Sequence, residues 1–287
     1  MLRTLRRNLH WVGSALALTG VGFVILRLRQ YGAGADFSRV SATSWLFLSG
    51  VGLAYGLAGA MLASGWRSLL GHLGTTISAN VAVGIYGISQ LAKYVPGNVL
   101  HIAGRQALGM AAGIPGWTLA KSAVWELALL ATAAAGFGLL ALPLIAPAYP
   151  LALSLGAFVA LTSLARGLAK RLIGPGVARA FAWYTAYLGV SGLLFAAVLK
   201  IATDMPIAGA ISWLAVCGAY VLAWLSGLVT PGAPAGIGVR ELVLLLLLDG
   251  LVHEGDLVLA VLLARIVTLA GDGLFYLLAN YISRISR

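Results

Sequence analysis

Long apolar runs, broken at a few specific places, dominate the pattern of this chain. Stretches at about 11 to 26, 44 to 63, 119 to 142, 148 to 165, 177 to 200 and 256 to 282 are apolar almost throughout. Most reach the roughly 20 residues that a helix needs to cross about 30 Å of hydrocarbon, so they predict six transmembrane helices. No stretch alternates apolar and polar positions as a barrel strand would. Four shorter pieces, about 75 to 93, 98 to 112, 208 to 229 and 237 to 250, are joined in pairs by Pro-Gly loops. They predict two helical hairpins, re-entrant or broken, each entering and leaving by one face.

The expected fold is therefore an all-α polytopic membrane protein, a single transmembrane domain over 1–287. It has about six full transmembrane helices plus two helical hairpins. Three crossings separate the hairpins, so one opens from each face, and segments 44–142 and 177–282 form the halves of an inverted repeat.

Composition agrees. The chain is 61% hydrophobic and 9% charged, with a mean hydropathy of +0.97, too apolar for an ordinary soluble domain. Its net charge of +11 does not point to nucleic acid, because Lys and Arg sit near the ends of apolar runs, as positive-inside topology requires. Arg3, Arg6 and Arg7 place the N-terminus in the cytoplasm, and Arg67, Arg166, Lys170, Arg171, Arg179, Arg284 and Arg287 fall on the same side. Arg27, Arg29 and Arg39 disagree. The expected location is a bacterial or archaeal cytoplasmic membrane, with both termini inside. The basic start and first apolar run resemble a signal sequence, but Arg27 and Arg29 replace its small-residue cleavage pattern, so it is read as a retained span. Trp11, Trp45, Trp66 and Tyr281 lie near span ends and fit an interfacial aromatic belt. The single cysteine, Cys217, reads as core packing. No metal-ligand spacing, phosphate loop or nucleophile elbow is present, so no metal, cofactor or catalytic residue is assigned.

Two segments share a Pro-Gly-x7-Arg skeleton: PGNVLHIAGR at 96–105 and PGAPAGIGVR at 231–240. Broken backbone and Arg at bilayer depth persist only where protein or a wet cavity satisfies them. Pro96 with Gly97, and Pro231 with Gly232, end one helix, and a second begins just beyond. The free N–H groups and dipole of such a helix start favour an anion. Asn98, His101 and Arg105 fall at i, i+3, i+7 along one helical face, and in the second motif Arg240 is followed by Glu241. In the last span Arg265, Thr268 and Asp272 repeat that spacing, with Gly271 and Gly273 allowing close helix approach. Glu126 lies deep inside the span from 119 to 142. Each such charge costs about 2.5–3.5 kcal/mol at the bilayer centre on insertion scales. They line a functional cavity or form structural ion pairs. His101 is a proton carrier or a satisfied hydrogen-bonding group. Lys93 contacts a headgroup or snorkels at a half-helix end.

At QLAKYVPGNVLHIAGR (90–105) and TPGAPAGIGVREL (230–242) the chain resembles the lysylphosphatidylglycerol synthase transmembrane-region family, also described as flippase-like. Glu126 between the motifs and Arg265 after them extend the likeness over most of the chain. Asp272 stands where the family pattern leads one to expect Glu, and PGAPAGIG replaces a PGGIG-like loop. The resemblance implies that Pro96, Gly97, Asn98, Arg105, Pro231, Gly232, Gly238, Arg240 and Glu241 line a central site. It further implies a non-enzymatic translocase for an anionic lipid or lipid-linked saccharide, of phospholipid or polyprenyl-phosphate type, working beside a glycosyltransferase or lipid-modifying enzyme. The alternatives are a lipid-binding scaffold that moves nothing and a membrane enzyme acting on a lipid phosphate.

Overall fold

The structure is a computed structural model that describes residues 37–95, 100–203, 212–230, 236 and 238–285. Among these there is no strand. Nine α-helices follow one another: α1 (Ala42–His72), α2 (Ala79–Gln90), α3 (Leu100–Ala111), α4 (Gly116–Ile145), α5 (Leu151–Leu168), α6 (Pro175–Thr203), α7 (Trp213–Val229), α8 (Val239–Leu248) and α9 (Glu254–Ile285). A 3₁₀ turn, Leu91–Tyr94, extends α2, and a π turn, Ala169–Ile173, extends α5. Five helices are long and apolar enough to cross a membrane: α1, α4, α5 with its π turn, α6 and α9. That is the make-up of an integral membrane protein. The expected crossing at 11–26 lies outside the described residues, as do Pro96, Gly97, Asn98, Pro231 and Gly232.

The short helices begin and end where local chemistry dictates. Ser78 accepts the Val81 N–H at 3.3 Å and starts α2, and Ser212 accepts the Ala215 N–H at 3.0 Å and starts α7. A serine oxygen supplies the partner that a first-turn N–H lacks. Both arms end at a residue followed by proline, Val95 (ψ 137°) and Thr230 (ψ 113°). Each is extended, because the proline ring disfavours helical backbone in the residue before it.

The long helices bury small residues against one another. α1 runs antiparallel to α6, with Tyr55 meeting Tyr187 at mid-helix and His72 meeting Gly176 where α1 ends and α6 begins. It runs parallel to α9, along which Gly52, Gly56 and Gly59 meet Val267, Gly271 and Phe275 in turn. A Cβ on Gly56 would lie 2.7 Å from the Gly271 carbonyl oxygen, so the two backbones touch. The expected close approach holds for Gly271 but not for Gly273, which has nothing within 4 Å of a built Cβ. α9 packs antiparallel on α2, and α4 packs antiparallel on α7. α5 is peripheral, leaving Leu153, Val159 and Leu164 exposed; in a bilayer that face meets lipid.

These directions fix the topology. α1 and α9 can be parallel, with α4, α5 and α6 alternating between them, only if the α2–α3 and α7–α8 pairs each return to the face they left. The ends of α1, α5 and α9 and the start of α6 thus share one face, with Arg67, Arg166, Lys170, Arg171, Arg179 and Arg284. Arg39 sits on the opposite face, where its guanidinium donates to Asp256 at 2.8 Å. A local carboxylate thus accounts for an arginine that breaks the charge asymmetry.

Candidate functional site

The broken helices and the long spans enclose a cavity of about 90 Å³, room for roughly half a dozen waters or one small headgroup. Its polar wall includes Lys93, His101, Arg105, Glu126, Arg240 and Arg265. α2 and its 3₁₀ turn deliver Lys93, α3 delivers His101 and Arg105, α4 Glu126, α8 Arg240, and α9 Arg265 and Thr268. Two segments some 130 residues apart in sequence therefore bring Arg105 and Arg240 to one hollow, as the paired motifs predict.

Three ion pairs organise the wall. The Arg105 guanidinium donates to Glu126 at 2.5 Å, and its Cζ lies 3.8 Å from the Tyr86 ring centroid. Tyr86 donates its hydroxyl to the other Glu126 oxygen at 2.8 Å. Lys93 Nζ lies 2.7 Å from Asp272, which also accepts the Tyr94 hydroxyl. Arg265 donates through two nitrogens to Glu241 Oε1, at 2.7 and 2.9 Å. Each carboxylate thus has a cation and a second donor, the arrangement that lets a buried pair offset its desolvation.

Arg240 differs. Among the described residues it has no carboxylate partner, and its Nε is buried with no hydrogen bond. Its side chain lies against Gly227 and Gly236, where a Cβ would come within 3.0 to 3.1 Å of Arg240 Cγ, and its guanidinium stands 5.9 Å from the Trp224 ring centroid. Two more buried atoms of wall residues lack a partner, Arg105 Nε and His101 Nδ1.

Some expectations change. At the start of α8 one of the donors expected to face an anion is already taken, because Glu241 Oε2 accepts the Gly238 N–H at 2.6 Å. Gly238 adopts φ +90° there, a conformation that glycine reaches without strain. Lys93 neither snorkels nor stands free; it is held by Asp272. Trp66 is not an interfacial anchor: it is 1% exposed and donates to Ser122 Oγ at 3.1 Å. Trp45 and Tyr281 are exposed as a belt requires, and Trp11 lies outside the described residues. Cys217 is buried, its thiol 3.6 Å from the Gly189 carbonyl oxygen.

Sequence reasoning missed the aromatic part of the wall: Tyr55, Tyr86, Tyr94, Tyr187 and Trp224. A signal existed. Tyr86, Gln90 and Lys93 stand at i, i+4, i+7, a polar-edged stripe running into the first Pro-Gly loop. Tyr55 and Tyr187, whose hydroxyls meet at 3.0 Å, carry no such mark, because they come from distant helices.

No protein-family model matches the chain, and no curated protein matches it.

Proposed function

We propose that this protein moves an anionic lipid or lipid-linked saccharide between membrane leaflets. The observation that carries the proposal is a cavity walled by Lys93, Arg105, Arg240 and Arg265 among helices long and apolar enough to cross a membrane. A headgroup fits such a hollow while its tails stay in the bilayer. Alternate opening of the hairpins would present it first to one face and then to the other.

The reading includes an inverted repeat. The order long, short, short, long occurs twice, in α1 to α4 and in α6 to α9. Both first arms start at a serine cap and stop before a Pro-Gly pair. The last helix of each half packs antiparallel on the first arm of the other, and the two leading helices, α1 and α6, pair antiparallel. The basic face is assigned to the cytoplasm. The site holds and releases; no group in it is assigned a bond-breaking role, so the protein is read as a transporter and not an enzyme.

Reconstitution in liposomes with a chemically trappable fluorescent lipid tests this. The wild type should change the leaflet distribution without changing lipid mass, and Arg240→Gln should abolish transfer while expressing and melting as the parent does. A static distribution with wild-type protein would leave only lipid binding, and altered lipid mass would indicate an enzyme.

A further inference from the structure

Charge around the cavity narrows the ligand. Lys93, Arg105, Arg240 and Arg265 bring four positive charges to the wall and its immediate partners. Glu126, Glu241 and Asp272 bring three negative ones, each paired to a cation at 2.7 Å or less. Among the described residues one cation is left over, and it is Arg240.

Two of these arginines also carry buried donors without a partner. Arg105 spends a terminal nitrogen on Glu126 but leaves its Nε–H without a partner, and the Arg240 Nε–H has none either. A planar guanidinium fork suits the paired oxygens of a phosphate. Apolar wall residues Ile102, Leu127 and Leu130 offer a surface to the ester substituents.

We infer that the cavity takes a lipid whose headgroup carries a single negative charge, a phosphodiester, in preference to a phosphomonoester or a diphosphate. A monoester carries about −1.5 to −2 at neutral pH. Its surplus charge would sit unbalanced near the Glu126 and Asp272 carboxylates in a site walled off from bulk water, where unpaired charge is costly. The inference deepens the translocase reading and rests on it for the ligand being a membrane lipid, whereas the charge preference stands on the wall itself.

Native mass spectrometry of the full chain in neutral-pH detergent tests it, titrating phosphatidylglycerol against phosphatidic acid with identical acyl chains. The diester should bind at least about tenfold more tightly. Arg240→Gln should bring both lipids to the same weak binding, and Arg240→Lys, which keeps the charge, should preserve the preference. Asp272→Asn, or Glu126→Gln should that variant fail to fold, adds one net positive charge and should shift the preference toward phosphatidic acid. Equal or tighter binding of phosphatidic acid by the wild type, or an undiminished preference in Arg240→Gln, would overturn the inference. Displacement of the lipid by free glycerophosphoglycerol at equal concentration would overturn the assignment to a lipid. A protein that discriminates as stated yet moves nothing in liposomes sinks the translocase reading and leaves this one; transfer without discrimination does the reverse.

Discussion

The buried Lys93–Asp272 pair joins the first broken helix to the last span, and its two halves are not separable. Removing the lysine leaves a buried carboxylate with only Tyr94 as side-chain donor among the described residues. Lys93→Met should therefore cost about 3–5 kcal/mol, whereas Lys93→Met with Asp272→Leu should lie near the wild type, since an apolar replacement of a whole buried pair is often neutral. Thermal melting of the purified variants in detergent checks this, and equal loss in both would contradict it. The charged members of the site were legible in the sequence because Arg, Glu and Asp inside apolar runs are conspicuous. Which of them pair was not. Arg105 and Arg240 look alike as motif positions, yet Glu126 and Tyr86 engage one, while glycines and Trp224 surround the other. That difference belongs to tertiary packing, on which local spacing is silent.

Among the elements, the tightest join is between α1 and α9, where Gly56 and Gly271 put backbone on backbone. Side chains there would force the helices apart. Gly56→Leu should lower stability by about 1–3 kcal/mol, the usual cost of overpacking, while Gly50→Leu, at a position with nothing within 4 Å, should be close to neutral. A shift in melting temperature for the first variant alone would bear this out. Element positions followed closely from hydrophobic periodicity and from Ser, Pro and Gly punctuation. The largest boundary difference is at the end of α1, expected near 63 and found at His72. Trp66 and Arg67 look like a boundary by composition. Trp66 instead turns inward to Ser122, and Arg67 donates to the Ile77 carbonyl at 2.9 Å, so the helix continues past both.

For the molecule as a whole, the parallel course of α1 and α9 requires each broken pair to return to its own side. Single cysteines introduced at His72, Thr75 and His253 in a Cys217→Ala background report on this directly. The first two should react with an impermeant maleimide from one side of a sealed vesicle and the third from the other; labelling of Thr75 and His253 from the same side would refute the topology. Glu241 bears on what such a molecule can do when it moves. One of its oxygens closes the first turn of α8, and the other grips Arg265 of α9. The two helices are therefore tethered through a single side chain. A displacement of α9 would have to carry α8 with it, unravel that helix from its first turn or break the Glu241–Arg265 pair, so one carboxylate couples the last span to a wall of the cavity.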